Sequence, residues 1–324
     1  MRVFINGFGR IGRSVLRAAA QGAAPGMVIA GINDIADAQM CAYLFEYDSV
    51  FGPWRGDVAL TDGHLVVNGT AIALHQTRDI STLDLAGVDV VMECTGQATT
   101  RDVVLRGLRA GAAKVLISGP SDGAEVTVVL GANDAILQGQ TLVSNASCTT
   151  NALAPIARLL HQQFGIVTGS MTTIHCYTGS QPTVDAPAAD FSRSRAAALS
   201  MVPTTTSAQR LLDVVLPEIA GRLQGSAVRV PTASVSAVDL CLMTEKPATA
   251  DAVNALFAAA GGVIGTTTKA LVSTDLRARP ESIVMALPET RVTNGGMLRV
   301  FGWYDNEWGF SNRMLDVARR MVNS

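Results

Sequence analysis

Charge is scarce in this chain: Asp, Glu, Lys and Arg make up 16% of its 324 residues, and the net charge is −2. No run of lysines or arginines forms a stripe, so the field that would draw in nucleic acid is missing. Long hydrophobic runs are missing too, and no apolar stretch approaches the length of a membrane span. The segment Met1-Arg2-Val3-Phe4-Ile5-Asn6-Gly7 enters a strand-like run directly, without the basic, apolar and cleavage-site series of a signal peptide, so none is expected. Cysteines are few and scattered, at 41, 94, 148, 176 and 241. They form no C-x-x-C pair, which argues against a zinc knuckle or a redox couple and for free thiols in a reducing cytoplasm. The expected protein is therefore cytoplasmic, without bound metal and without membrane or nucleic acid as a partner.

What is present is apolar mass. Hydrophobic residues reach 48% over a length that suits two cores rather than one. Low surface charge on such a body also fits an oligomer. Short apolar runs at residues 3–6, 27–33, 88–94, 114–118 and 141–145 alternate with helical stretches, the pattern of a parallel α/β sheet. Residues 58–74 depart from it, because Asp62-Gly63 and Asn68-Gly69 between alternating residues signal hairpins in a small antiparallel excursion. Past residue 150, strand-like runs at 170–177, 227–230, 234–243 and 297–303 flank helical patterns at 206–219 and 250–260. This second half predicts an α+β domain with a mixed or antiparallel sheet. Residues 178–200 carry no clear period and are long for a structureless loop, a length usually tied to function. Residues 307–322 place Phe310, Met314, Val317, Ala318 and Met321 at helical spacing, a face able to pack back on the first domain.

Gly7-Phe8-Gly9-Arg10-Ile11-Gly12 follows the first strand and opens a helix, where a G-x-G-x-x-G turn lets the backbone approach a pyrophosphate. The next strand ends in Asn33-Asp34, and an acidic side chain there accepts ribose hydroxyls and repels a 2′-phosphate. No arginine adjoins Asp34, which favours NAD over NADP. A glycine turn with a helix-capping aspartate is the plainer alternative, but strand, turn, helix and spacing together point to a dinucleotide site.

Ser144-Asn145-Ala146-Ser147-Cys148-Thr149-Thr150-Asn151 runs from a strand into a helical stretch at 152–164, with Ser147 as a natural N-cap. A thiol in the first turn of a helix faces the positive end of the dipole and open N–H groups, which predicts a lowered pKa. Pro155, inside the stretch, predicts a kink or a late start. Taken alone a cysteine is most often a small core residue. His175 ends the run Met171-Thr172-Thr173-Ile174 in a chain with only four histidines, and imidazole is the group that takes a thiol proton. Cys176 beside it reads as core.

Four segments, Asn6-Gly7-Phe8-Gly9-Arg10-Ile11-Gly12, Ser147-Cys148-Thr149-Thr150-Asn151, Thr173-Ile174-His175-Cys176-Tyr177-Thr178 and Trp303-Tyr304-Asp305-Asn306-Glu307, resemble the glyceraldehyde-3-phosphate dehydrogenase family. The resemblance runs in order along essentially the whole chain. It implies a homotetramer whose subunits have a Rossmann-type NAD-binding domain, residues 1–147 completed by a helix at 307–324, and a catalytic domain at 148–306. It also implies phosphorylating oxidation of an aldehyde, with Cys148 as nucleophile, His175 as base, NAD as hydride acceptor and inorganic phosphate as second substrate. Matched residue by residue, Thr178, Arg195 and Arg229 correspond to the site for the substrate phosphate. Ser147, Thr149, Thr206 and Ser207 correspond to the site for the incoming phosphate. Gly7, Phe8, Gly9, Arg10, Ile11, Gly12, Asp34, Arg78, Thr95, Ser118 and Asn306 correspond to the cofactor positions.

The chain departs from the family pattern in several places. Gly179-Ser180 replaces the usual Asn-Asp after Thr178, and Ser207 replaces a glycine. Ala186-Pro187 keeps half of the Leu-Pro pair common in strictly NAD-dependent members, which leaves room for NADP use. The rival within the same chemistry is an erythrose-4-phosphate dehydrogenase, against which Tyr177-Thr178 speaks. The rival outside it is a binding protein that kept the fold without catalysis, against which the intact Cys148 and His175 speak.

Overall fold

Val3, Phe4 and Ile5 are at most 1% exposed along β1 (Arg2–Asn6), the mark of a strand covered on both faces. Burial of each such side chain stabilises by roughly 1.5–3 kcal/mol. The computed structural model describes residues 1–188 and 190–324. After β1 the chain turns into α1 (Arg10–Ala20) and returns as β2 (Val28–Asn33), parallel to β1 with Asn33 opposite Asn6. Asp37 starts α2 (Ala38–Glu46), its carboxylate accepting from the N–H groups of Gln39 and Met40.

The excursion at 58–74 is a three-stranded meander of β3 (Val58–Thr61), β4 (His64–Val67) and β5 (Thr70–His75). Asp62, Gly63, Asn68 and Gly69 all have positive φ, the conformation that two-residue Asp-Gly and Asn-Gly turns require. Because β5 pairs parallel to β2, the meander extends the main sheet. The remaining elements are β6 (Val90–Glu93), the short helices α3 (Arg101–Val104) and α4 (Arg106–Arg109), β7 (Lys114–Ile117), β8 (Val126–Thr127) and β9 (Leu142–Ser144). The nine-stranded order is β3-β4-β5-β2-β1-β6-β7-β9-β8. β1 lies between β2, to which the chain passes next, and β6, to which it crosses back from β5, and the crevice at such a switch point is where α/β sheets bind ligands.

A second sheet gathers β10 (Ile166–Cys176), β11 (Val202–Thr204), β12 (Leu223–Val230), β13 (Ser236–Thr244), β14 (Ile264–Thr267), β15 (Ile283–Ala286), β16 (Arg291–Val292) and β17 (Leu298–Tyr304). It is mixed: β10 with β12 and β14 with β15 are parallel pairs, while β13 is antiparallel to both β10 and β17. Its helices are α5 (Cys148–Phe164), α6 (Ala208–Val215) and α7 (Ala250–Ala260). The helix expected over 206–219 is shorter because Pro217 pushes Leu216 out of helical geometry, to φ −128 and ψ 72, and a 3-10 turn follows. The late start expected from Pro155 does not occur. The helix begins at Cys148 and runs through the proline, whose missing N–H removes one bond from an otherwise capped and buried segment.

Contacts divide the chain into two compact units, one of Met1–Val128, Asp134–Ala146 and Phe310–Ser324, the other of Val129–Asn133 and Ser147–Gly309. The last helix, α8 (Trp308–Asn323), joins the first unit from Phe310 onward. There Met314, Val317, Ala318 and Met321 are buried, and Lys114 donates to the Met321 carbonyl. Among the described residues, 178–200 hold no strand or α-helix, only a 3-10 turn at Ser192–Ser194. No helix among the described residues is long and apolar enough to cross a membrane.

Candidate active site

The glycines of the first turn act by three different constraints. Gly7 has φ +91, and a Cβ there would lie 2.6 Å from the Thr95 nitrogen. At Gly12 a Cβ would lie 2.1 Å from the Gly7 carbonyl oxygen, so the helix packs this closely only with hydrogen at that position. At Gly9, by contrast, a Cβ would meet nothing within 4 Å: the backbone faces open space. Gly9 is also the N-cap of α1 and offers its first-turn N–H groups no side-chain acceptor, which leaves the helix start suited to an anion.

This turn opens on a cavity of about 380 Å³ whose lining includes Gly7, Gly9, Asp34, Arg78, Cys94 and Thr95. Asn6, Asn33 and Glu93 also line it. Asn33 Nδ2 donates to Asn6 Oδ1 at 2.8 Å, Asn6 Nδ2 donates to Glu93 Oε2 at 2.5 Å, and the Thr95 backbone N–H donates to Glu93 Oε1 at 3.0 Å. Asp34 accepts from the Phe8 N–H at 2.6 Å and the Ala36 N–H at 2.9 Å, which ties the end of β2 to the glycine turn. The open face at Gly9, the uncapped helix start and the carboxylate at the cavity edge fit a dinucleotide.

The residues matched to the cofactor are not equivalent. Phe8 is 1% exposed with its ring against Phe45 and its N–H held by Asp34, so it shapes the turn from behind. Arg10 pairs with Asp48, whose carboxyl is held below its usual range by the N–H of Phe51 and by Arg10, against the effect of its burial. Ile11 is half-buried in the first turn of α1. Ser118 continues β7 by donating its N–H to the Glu93 carbonyl at 2.9 Å. Asn306 lies in the second unit, 6% exposed, where its Oδ1 accepts from Cys176 Sγ at 3.1 Å and from Ser236 Oγ at 3.3 Å.

In the second unit, Cys148 is the first residue of α5. Ser147 caps that helix with Oγ accepting from the Thr150 N–H at 3.1 Å. The preceding residue, Ala146, adopts φ +54, a left-handed conformation costly for a side chain other than glycine. Cys148 Sγ lies 3.7 Å from Nε2 of His175, near the end of β10. The histidine is 5% exposed, and its Nδ1 lies 2.7 Å from the Cys176 carbonyl oxygen and 2.9 Å from Arg229 Nη1. Arg229 stands directly opposite it on β12.

The expectation of a lowered thiol pKa is corrected here. Burial pushes the Cys148 thiol up, and this outweighs the lowering by Thr149, by the Arg229 charge and by the backbone N–H groups of the helix start. Burial also brings His175 down to about 4, helped by the adjacent Arg229 charge and opposed by the Cys176 carbonyl. Burial thus works against charge on both the thiol and the imidazole, and the 3.7 Å separation puts the thiol proton within reach of Nε2. The other three histidines have different surroundings: His161 Nδ1 accepts from the Ile166 N–H at 3.0 Å, His64 Nδ1 faces the Asp62 carbonyl at 2.8 Å, and the His75 ring lies 5.8 Å from that of Phe4.

Of the residues matched to the phosphate sites, Arg229 and Thr149 lie against the Cys148–His175 pair, Ser147 caps the helix that Cys148 starts, and Arg195, Thr178 and Thr206 are bonded to other groups. Arg195 pairs with Asp185 at 2.7 Å, both well exposed. Thr178 exchanges a hydroxyl hydrogen bond with Ser180 at 3.0 Å, so the departure at residue 180 acts directly on it. No hydrogen bond or ion pair joins Thr178, Arg195 and Arg229 among the described residues. Thr206 Oγ1 accepts from the Ala208 N–H at 3.1 Å. Ser207 has φ −73, a conformation open to any residue, so its replacement of glycine carries no backbone strain.

Tyr304 is the residue that sequence reasoning left unassigned. Its buried hydroxyl sits 2.9 Å from Thr149 Oγ1 and 2.8 Å from Thr173 Oγ1, with its ring edge-on to His175 at 6.0 Å. It thereby ties the start of α5 to β10. The available signal was its place as the last buried residue of an alternating strand.

Comparison with known proteins places both halves of the chain alike. The family model described as glyceraldehyde 3-phosphate dehydrogenase, NAD binding domain, matches residues 1–101, and that for the C-terminal domain matches residues 147–306. The glyceraldehyde-3-phosphate dehydrogenase of Cereibacter sphaeroides is 47% identical, with 99% of this chain and 98% of the relative aligned. Its namesake in Pseudomonas aeruginosa is 47% identical, covering 98% and 97%, and that of Geobacillus stearothermophilus 44%, covering 98% and 97%.

Proposed function

The chain belongs to the glyceraldehyde-3-phosphate dehydrogenase family and is a nicotinamide-nucleotide-dependent oxidoreductase, and from that premise we propose that it oxidises D-glyceraldehyde 3-phosphate to 1,3-bisphosphoglycerate with inorganic phosphate and NAD. The observation that carries this reading is Cys148 Sγ at 3.7 Å from His175 Nε2. The sulfur attacks the aldehyde carbon while the thiol proton passes by way of the imidazole to the carbonyl oxygen, leaving a thiohemiacetal on Cys148. NAD, when bound, supplies the hydride acceptor for the oxidation of that adduct to a thioester. Phosphate oxygen then attacks the thioester carbon, the carbon–sulfur bond breaks, and the departing Cys148 sulfur takes back the proton that His175 accepted from the adduct hydroxyl during the oxidation. Ser147, Thr149, Thr206 and Ser207 are the groups assigned to the incoming phosphate, and Thr178, Arg195 and Arg229 those for the substrate phosphate, since hydroxyls and guanidinium groups suit phosphate oxygens.

Residues 1–147 with 307–324 are assigned to the cofactor and 148–306 to catalysis, in a cytoplasmic homotetramer. Turnover should be faster with glyceraldehyde 3-phosphate than with erythrose 4-phosphate and should require phosphate. Preference for the four-carbon aldehyde, or turnover indifferent to phosphate, would overturn the assignment.

Preference for NAD rests on Asp34, whose carboxylate stands at the edge of the cavity beside the glycine turn. Asp34→Asn removes the charge that repels a 2′-phosphate and weakens a charge-assisted bond. The ratio of kcat/KM for NAD over NADP should fall roughly 10- to 100-fold. An unchanged ratio in steady-state kinetics would place the discrimination elsewhere.

A further inference from the structure

Three strands that lie side by side in the second sheet meet at one end: β10 ends in Cys176, β13 starts with Ser236, and Ser236 stands opposite Tyr304, the last residue of β17. Asn306 follows two residues later. Both polar neighbours of its side chain bond to the same atom. Oδ1 accepts from Cys176 Sγ at 3.1 Å and from Ser236 Oγ at 3.3 Å, while Nδ2 bonds to no group among the described residues. Ser236 Oγ itself accepts from the Cys176 N–H at 3.1 Å, so the serine hydrogen is free to go to Asn306. Burial pushes the Cys176 thiol up to about 12, and the thiol keeps its hydrogen at neutral pH. Turned over, the amide would set its own N–H groups against both hydrogens, and two buried donors would lose their acceptor. The amide therefore has one favoured orientation, with Nδ2 left to donate elsewhere.

We propose that Cys176 and Ser236 are positioning residues that lock the Asn306 amide so that Nδ2 donates to the carboxamide oxygen of the nicotinamide. The proposal rests on the assignment of Asn306 to the cofactor. A carboxamide carries both an oxygen and an NH2 group on a rotatable bond, so an asparagine free to turn over would accept it either way round, whereas a fixed donor selects the oxygen. The backbone leading to Ser236 is constrained as well. Val235, β-branched and 3% exposed, has φ +67, and its side chain is held in a cluster with Leu276 and Val284. Left-handed geometry at such a residue persists only where its surroundings impose it. The Cys176 carbonyl, meanwhile, accepts from His175 Nδ1 at 2.7 Å and from Arg229 Nη1 at 3.0 Å. One residue thus ties the base, through its main chain, to the nicotinamide anchor, through its side chain. Oxidation of the adduct needs these two in register. The adduct's carbon–hydrogen bond breaks with its electron pair passing to the nicotinamide, the hydroxyl proton passes to His175, and the carbon–oxygen double bond of the thioester forms.

The test compares binding of NAD with binding of ADP-ribose, which lacks the nicotinamide, by titration calorimetry. The ratio of Kd for ADP-ribose to Kd for NAD reports what the nicotinamide contributes. Cys176→Ala keeps the carbonyl that holds His175 and should lower this ratio about 3-fold, and Cys176→Ala combined with Ser236→Ala about 10-fold, with Kd for ADP-ribose unchanged in both. Cys176→Ser, close in shape and a stronger donor than the thiol, should keep the ratio at or above that of the parent, and it provides a readout if the alanine variants do not fold. A ratio unmoved in the double variant, or lowered by Cys176→Ser, overturns the proposal. Asn306→Ala tests the premise separately: a ratio left at the parent value means that the assignment of Asn306 to the cofactor itself fails, whereas a lowered ratio there beside an unmoved one in the double variant removes only the role of Cys176 and Ser236.

Discussion

Cys148→Ser is expected to lower kcat by on the order of 10⁴- to 10⁶-fold, the scale on which loss of a covalent nucleophile is felt. Burial at the start of α5 works against ionisation of whatever group occupies this position, and the thiol tolerates it only because sulfur is nucleophilic near its own pKa. A serine hydroxyl begins several units further from ionisation, in the same low-dielectric surroundings, and gains no more from the helix start than the thiol does. Its acyl product would be an oxygen ester, which phosphate attacks less readily because alkoxide is a poorer leaving group than thiolate. The exchange of sulfur for oxygen is nearly isosteric, and the Ser147 cap and the Thr149–Tyr304 bond do not depend on it. Circular dichroism should therefore match the parent protein while nicotinamide reduction falls to the detection limit. Activity within tenfold of the parent would remove Cys148 from the mechanism.

His175→Asn should reduce kcat by about 10²- to 10⁴-fold, the usual contribution of a positioned general base. It also has a signature in stability. The imidazole is held at about 4, below its ordinary 6.5, first by burial and then by the Arg229 charge. Above pH 6.5 neither folded nor unfolded chain protonates it, and it imposes no penalty. As pH falls below 6.5 the unfolded chain binds a proton that the folded chain refuses until about pH 4. Stability is therefore lost across that window, by about 3 kcal/mol in total. Asparagine does not titrate, so urea unfolding measured at pH 7 and again near pH 4.5 should show a smaller acid loss in the variant than in the parent. The difference between the two pH values is the readout, because any packing defect from the smaller side chain affects both. Equal acid losses would mean that His175 ionises normally in the folded protein.

Much of the nucleotide site is readable from residues close together in the chain, because backbone geometry is a local property. Gly9 and Gly12 are required by an opening and a contact within one turn and Gly7 by its own positive φ, while Asp34 follows from the parallel register that sets the end of β2 beside the end of β1. The Ser147 cap is local in the same way. What failed locally was helix punctuation. Pro217 ended α6 where its periodicity continued, while Pro155 was absorbed by a helix with enough burial to lose one hydrogen bond. The parallel pairing of β10 with β12 was hidden as well, since strand direction in a mixed sheet depends on connections that a hydrophobic pattern does not encode.

The sequence by itself determined which side chains were available for the chemistry: one thiol at a helix start, one histidine at a strand end, and a glycine turn followed by an acid. Those follow from capping, alternation and turn geometry, which act over a few residues. Tertiary structure decided their electrical state. It buried Cys148 so that desolvation outweighed the helix start, set Arg229 against His175 from a strand more than fifty residues away, and brought Tyr304 from the far end of the chain to hold Thr149 and Thr173. Desolvation and charge depend on everything within a few ångströms, whatever its place in the chain, and only the folded arrangement supplies that neighbourhood.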